Sequence, residues 1–228
     1  MVLYGPYGIG KTTLLLDLET RLWASGVVCA RAPQTRSMED ITQAIESAYP
    51  NLHPRAVAHR TPGARGWEAA ELQGGVLLLD HLTQVSSAMV SFLRWLRSGI
   101  MGVITAVDVE VEREQRRLRP WRLGALSIRM PGASADLLRG LLRKHSAELR
   151  LPTLDAEVER RLIREARGRP GWIVRCVHLQ IEARYWQGTQ LFASALCKDT
   201  EAALQHDSLE RLPQLDDGLA HSAAGDGE

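Results

Sequence analysis

Residues 5–12 read GPYGIGKT. A Gly, four variable residues, a second Gly, Lys and a hydroxyl residue make the pattern of a phosphate-binding loop. Its glycines let successive backbone N–H groups turn inward around a phosphate, and the helix that follows adds the positive end of its dipole. In this reading Gly5, Pro6, Tyr7, Gly8, Ile9, Gly10, Lys11, Thr12 and Thr13 form the cradle. The Lys11 ammonium reaches the β- and γ-phosphates of a nucleotide, and the Thr12 hydroxyl ligates Mg²⁺. The context fits. The apolar triplet at residues 2–4 precedes the loop as a buried strand, and Leu14, Leu15, Leu18 and Leu22 follow at helical spacing. Lysine is scarce, with Lys11, Lys144 and Lys198 the only ones among 28 Lys and Arg, so a lysine inside a glycine loop carries weight.

A chain of 228 residues buries a full core and suits one α/β domain with a small satellite. The formal net charge is +1, so no bulk field draws the protein to nucleic acid or a membrane, and charge acts locally. Cys29, Cys176 and Cys197 are odd in number, far apart and without CxxC spacing. They read as small apolar residues rather than a disulfide framework or a zinc site. No run approaches the ~20 apolar residues of a membrane span, and the first residues lack the features of a secretory signal. The expectation is a cytoplasmic protein with no membrane contact.

Up to residue 131 the apolar pattern alternates strands with helices. A helix is expected over 11–25 with Gly26 as its stop, then a strand over 27–32 (VVCARA). Ser37 with Asp40 three residues on reads as the capped start of a second helix. The continuous apolar runs 74–80 (GGVLLLD) and 102–108 (GVITAVD) are those of parallel strands covered on both faces. A helix over 86–97 joins them, and an Arg-rich helix over 109–118 and a short strand near 125–130 follow. Beyond Pro131 three amphipathic helices are expected, the first two capped by Ser134 and Asp155. The fold class is therefore α/β: a P-loop NTPase with a five-stranded parallel sheet flanked by helices, followed by a small helical lid. Residues 1–131 form the core, 132–200 the lid and 201–228 a C-terminal tail, small, polar and partly disordered.

A phosphate loop needs an acid at the end of a neighbouring strand to hold the metal's water shell. Asp80 closes VLLLD at a strand's C-terminal end, where ligands of open α/β sheets bind, and is the expected metal acid beside Thr12. His81 comes next. ATPases of this type usually carry Glu there to polarise the attacking water. A neutral imidazole accepts a proton and orients water but lacks Glu's charge. Hydrolysis is expected to be slow, or to lean on another group such as Asp108; the alternative is that His81 only packs or solvates.

Strand, loop, helix, LLLD, a later strand with Thr105 in mid-run, an Arg-rich helix and a helical lid together resemble an AAA+ ATPase. Within that superfamily, residues 103–142 and the lid stretch 166–179 (ARGRPGWIVRCVHL) look most like transposition-helper and type II secretion accessory ATPases, relatives of the initiator ATPases. The resemblance spans residues 2–184. It implies ATP and ADP with Mg²⁺ as ligands and a homo-oligomer that assembles with nucleotide. It places Thr105 at sensor 1, against a reading as a Thr satisfied within its strand. The lid turn GRPG matches the family's G-x-P turn, but Gly171 stands where an Arg usually reaches back to the nucleotide; Arg169 or Arg175 is left for sensor 2. Arg116, Arg117, Arg119 and Arg122 lie where a trans-acting arginine finger is found, with Arg119 the candidate. Only four residues precede Gly5, so either the chain is a shortened relative or sequence upstream of Met1 is missing.

The leading functional reading is an ATP-dependent switch or matchmaker that works with an unidentified protein partner and touches DNA. Residues 51–66 carry Arg55, Arg60 and Arg65 with His53 and His59 and no acid, which suits phosphate-backbone contact; a mobile surface loop is the alternative. The loop has no Phe, Tyr or Trp for base stacking, so sequence reading is not expected. The competing class is a nucleotide-gated scaffold that binds ATP with little turnover, favoured by His81 and the missing lid Arg. A small-molecule kinase fits less well, because the long helical C-terminus is not a short phosphate-closing lid.

Overall fold

The computed structural model describes residues 1–52, 69–82, 85–108 and 126–210. The core runs β1 (Val2–Gly5), α1 (Lys11–Ala24), β2 (Cys29–Ala32), α2 (Met38–Ala48), α3 (Ala69–Leu72), β3 (Gly75–Leu79), α4 (Ser87–Arg97), β4 (Met101–Asp108) and β5 (Ser127–Arg129). The strands form one sheet in the order β2-β3-β4-β1-β5 with every neighbouring pair parallel. This is the expected five-stranded parallel sheet with helices on both faces.

Strand alternation sorts the core into two layers. Val2, Leu77, Leu79, Val103 and Val107 face the cluster that holds Ile41, Ile45, Phe92 and Leu93 of α2 and α4. The intervening residues Leu3, Cys29, Leu78 and Ala106 face Leu15 of α1. Helix starts are set by side-chain caps. Ser37 and Asp40 form a reciprocal capping box on α2, and Ser86 accepts the Met89 N–H on α4. The expected Arg-rich helix at 109–118 and nearly all of the basic loop at 51–66 lie outside the described residues.

The lid comprises α5 (Ala135–Glu148), α6 (Ala156–Ala166), α7 (Pro170–Leu179), a 3₁₀ turn (Ala183–Tyr185), a short hairpin of β6 (Trp186–Gln187) and β7 (Gln190–Leu191), and α8 (Ala193–Glu210). Ser134 and Asp155 cap α5 and α6 as read from sequence. Two expectations change. The third lid helix stops at Leu179 instead of running on to Trp186, and a fourth helix follows. In the turn between them, Tyr185 is buried in the lid core, and its hydroxyl donates to Asp199 of α8 at 2.7 Å. Residues 201–210 therefore belong to a helix, with Leu204 buried in the lid cluster, rather than to a tail. No helix of the described residues is long and apolar enough to cross a membrane.

Candidate functional site

The loop leaves β1 at Gly5 and enters α1 at Lys11. Gly10 takes the N-cap position with φ 103°, a conformation that L side chains rarely adopt, and so no side chain caps α1. The uncapped first-turn amides of a fourteen-residue helix point to where an anion is best held. A structural requirement for Gly thus creates the binding chemistry.

Lys11 is 4% exposed, and its ammonium donates to the carbonyls of Gly5 at 2.8 Å and Pro6 at 2.9 Å. Its remaining donor meets Asp108 Oδ1 at 2.6 Å. Asp108 ends β4, in register with Gly5, and so lies beside the loop. Its other oxygen, Oδ2, accepts from His81 Nδ1 at 3.0 Å. Burial alone raises the Asp108 carboxyl, but the His81 hydrogen bond and the Lys11 charge outweigh it and hold the carboxyl below its usual range. An ionised carboxylate only accepts, which puts a proton on His81 Nδ1, and Nε2 on the other side of the ring lies 3.3 Å from Thr12 Oγ1. One chain of contacts therefore runs Lys11–Asp108–His81–Thr12.

Asp80 is 1% exposed, on the same sheet face as Leu78 and Asp108, and its Oδ1 accepts the His81 backbone N–H at 3.0 Å. His81 takes a left-handed conformation with φ 48°, unusual for a residue other than Gly, which turns its ring back over the loop. Its Nε2 lies 3.8 Å from Asp80 Oδ2. Thr12 and Asp80 thus approach the same imidazole edge. This donor set suits a magnesium ion that keeps waters and shares phosphate ligands, since Mg²⁺ seldom takes an all-protein cage. Among the described residues no cluster of three or more His, Cys, Asp or Glu makes a self-sufficient metal site.

A cavity of about 870 Å³ opens between this constellation and the lid, a size suited to a nucleotide-scale ligand. Lys11, Thr12, His81 and Asp108 line its polar end. Leu14, Leu137, Leu141 and Val174 line the apolar side, and Arg175 and His178 of α7 reach it from the lid. The lid touches the loop directly: Gly171 donates its N–H to the Gly8 carbonyl at 2.8 Å. A Cβ on Gly171 would lie 2.9 Å from Gly8 Cα and 3.1 Å from its carbonyl oxygen, both backbone atoms. Gly171→Ala is therefore expected to force loop and lid apart, costing about 1–3 kcal/mol in urea unfolding and weakening nucleotide binding with it. A variant of unchanged stability shows that the contact yields freely.

The sequence candidates separate on placement. Gly5, Gly8, Gly10, Lys11, Thr12, Asp80 and His81 come together. Thr105 does not join them: it pairs with Val2 and Leu79, is fully buried, and its hydroxyl donates to the Met1 carbonyl at 3.4 Å. Its strand parity is that of Val103 and Val107, away from α1, and Asp108 is the β4 residue that reaches the loop. Arg169 is also drawn elsewhere. Its guanidinium makes a two-pronged pair with Glu201 of α8 at 3.1 and 2.7 Å, joined by the Trp172 indole N–H at 3.2 Å. The Arg169 hydrogen bonds hold the Glu201 carboxyl below its usual range, and the pair fastens α8 to the start of α7. Arg175 is the lid arginine on the cavity. Arg119 lies outside the described residues. The Gly8–Gly171 contact and the Lys11–Asp108 pair were not read from sequence.

No family model and no curated protein matches the sequence. Solved structures do match in shape. The Thermotoga maritima RuvB Holliday junction branch migration motor aligns with a TM-score of 0.51 at 15% identity, over 93% of this chain and 64% of its own. Cdc6p from Pyrobaculum aerophilum gives 0.55 at 15% identity over 80% of this chain and 55% of its own. The Aeropyrum pernix ORC1 protein in complex with DNA gives 0.51 at 18% identity over 90% and 59%. The chain spans about three fifths of the length of these proteins. With the strand order, the glycine loop and the helical lid, these likenesses show that the chain shares the fold of these proteins, a five-stranded parallel P-loop core followed by a helical lid.

Proposed function

We propose that the chain binds ATP and ADP with Mg²⁺ between sheet and lid and acts as a nucleotide-dependent switch or matchmaker in the cytoplasm. In this reading it assembles into a homo-oligomer with nucleotide, hydrolyses ATP slowly, and contacts DNA non-specifically through residues 51–66. The observation that carries the proposal is that Lys11, through Asp108 and His81, is linked to Thr12 and Asp80 at the C-terminal end of a parallel sheet, under a lid hydrogen-bonded to the same loop. Loop amides and Lys11 would bind the phosphates, Thr12 and Asp80 would hold the metal with its waters, and His81 would orient the attacking water. Mg²⁺, when bound, neutralises developing phosphate charge. A branch migration motor and an ORC1 protein in complex with DNA among the structural neighbours support the DNA association. The finer likeness to transposition helpers stays part of the proposal.

Asp80→Asn tests the site. The neutral amide keeps the shape but loses the charge that holds the metal's water shell, so metal-free nucleotide binding is expected to persist while Mg²⁺ no longer tightens it. If Mg²⁺ still tightens ATP binding in that variant, the metal acid lies elsewhere. The same titrations, repeated with double-stranded DNA and read by light scattering, test assembly; a mass unchanged by MgATP and DNA removes the matchmaker reading. A nucleotide-gated scaffold is the second reading, favoured by Gly171 at the place of the usual lid arginine. Steady-state turnover at background level, with and without DNA, selects it.

A further inference from the structure

Lys11 has three N–H donors, and each is already satisfied by Gly5 O, Pro6 O or Asp108 Oδ1. A phosphate oxygen that bonds this ammonium must displace one of them. The two carbonyls belong to the loop that cradles the phosphate and move only with it. Asp108 is the replaceable partner, a side chain at the end of β4 level with Gly5. It is also the acid paired with Lys11 among the described residues; Asp80 is turned to the His81 N–H, and Asp17 pairs with Arg21. Resting on the reading that Lys11 binds phosphate, we infer that Asp108 makes the site favour nucleoside diphosphates over triphosphates.

A β-phosphate takes its hydrogen bonds from loop amides and its counter-charge from Lys11 at close range, and leaves the Asp108–Lys11 pair in place. A γ-phosphate adds charge next to an ionised carboxylate and competes with it for one ammonium, inside a site where charges are poorly screened. Asp108 does not swing away freely, because its second oxygen holds His81 Nδ1 at 3.0 Å. Releasing Lys11 to a triphosphate therefore also loosens the ring that contacts Thr12. Asp108 thus sets specificity through charge and passes the presence of a third phosphate to His81.

The test is calorimetry of ADP and a non-hydrolysable ATP analogue in EDTA, on the full chain. The wild-type chain is expected to bind ADP at least tenfold more tightly than the analogue. Asp108→Asn keeps an oxygen acceptor but removes the charge; the analogue is expected to tighten at least tenfold more than ADP does. Asp108→Ser, with a smaller neutral side chain, is expected to shift the ratio in the same direction if the Asn variant folds poorly. A wild-type chain that binds the analogue as tightly as ADP overturns the inference, as does a ratio that neither variant moves. A wild-type chain that binds neither nucleotide brings down the phosphate-site reading and this inference together. Binding of both, abolished by Lys11→Ala but with an unmoved ratio, removes the inference alone.

Discussion

Lys11→Ala is expected to abolish nucleotide binding, lowering ADP and ATP affinity at least a hundredfold, about 2.7 kcal/mol or more. Two effects add. The substitution removes the main counter-charge for the phosphates, and it leaves the Asp108 carboxylate beside them without its cation. The carbonyls of Gly5 and Pro6 lose their donor as well. Breaking a buried pair by removing one partner costs about 3–5 kcal/mol in general, and part of that is expected here as reduced stability. The double variant Lys11→Ala with Asp108→Asn separates the effects: it is expected to recover stability in urea unfolding but not nucleotide binding. Unchanged affinity for both nucleotides in Lys11→Ala would sink the assignment of the loop.

The loop, the sheet and the acid at the end of β3 were legible because each is a local pattern. Glycine spacing sets the loop, continuous apolar runs set the covered strands, and an acid after LLL sets the strand end. Thr105 shows where a local pattern misleads. It is polar and lies in mid-strand, which drew attention to it, yet its parity with Val103 and Val107 turns it to the far face. Counting by two from Ala106, which packs toward α1, reaches Asp108 instead, so the information was present in the alternation. Asp108 as the partner of Lys11 needed one further fact, that β4 lies next to β1, and strand order is not written in either strand. The lid was harder still. Arg169 follows a turn that suits a nucleotide contact, but Glu201, thirty-two residues on, captures it. That pairing requires α8, of which residues 201–210 read as tail. Gly171 was visible as an absence of Arg; its role as the residue small enough to meet Gly8 backbone to backbone is a matter of tertiary approach.

His81→Glu combined with Asp108→Asn is expected to raise ATP hydrolysis tenfold to a thousandfold over the wild-type chain, in line with the ~10²–10⁴ that a positioned general base contributes. The second substitution is required by the geometry. Glu at position 81 alone sets a carboxylate against Asp108, where the His81 ring now donates, and near Asp80. Three acids then crowd one site, and His81→Glu by itself is expected to gain little. With Asn at 108 the amide donates to the new carboxylate, as the imidazole now does to Asp108, and one negative charge is gone from the path of the γ-phosphate. The left-handed backbone at position 81 carries a Cβ cost of about 1–2 kcal/mol that His81 already bears and that Glu shares, so the substitution changes stability little through the backbone. Lys11, Thr12 and Asp80 are untouched, so MgATP binding measured on the same preparation separates a failed fold from failed chemistry. A double variant that binds MgATP, assembles, and still hydrolyses at background rate shows that a charge beyond this loop is missing. The reading as a nucleotide-gated scaffold then stands, rather than that of a slow ATPase.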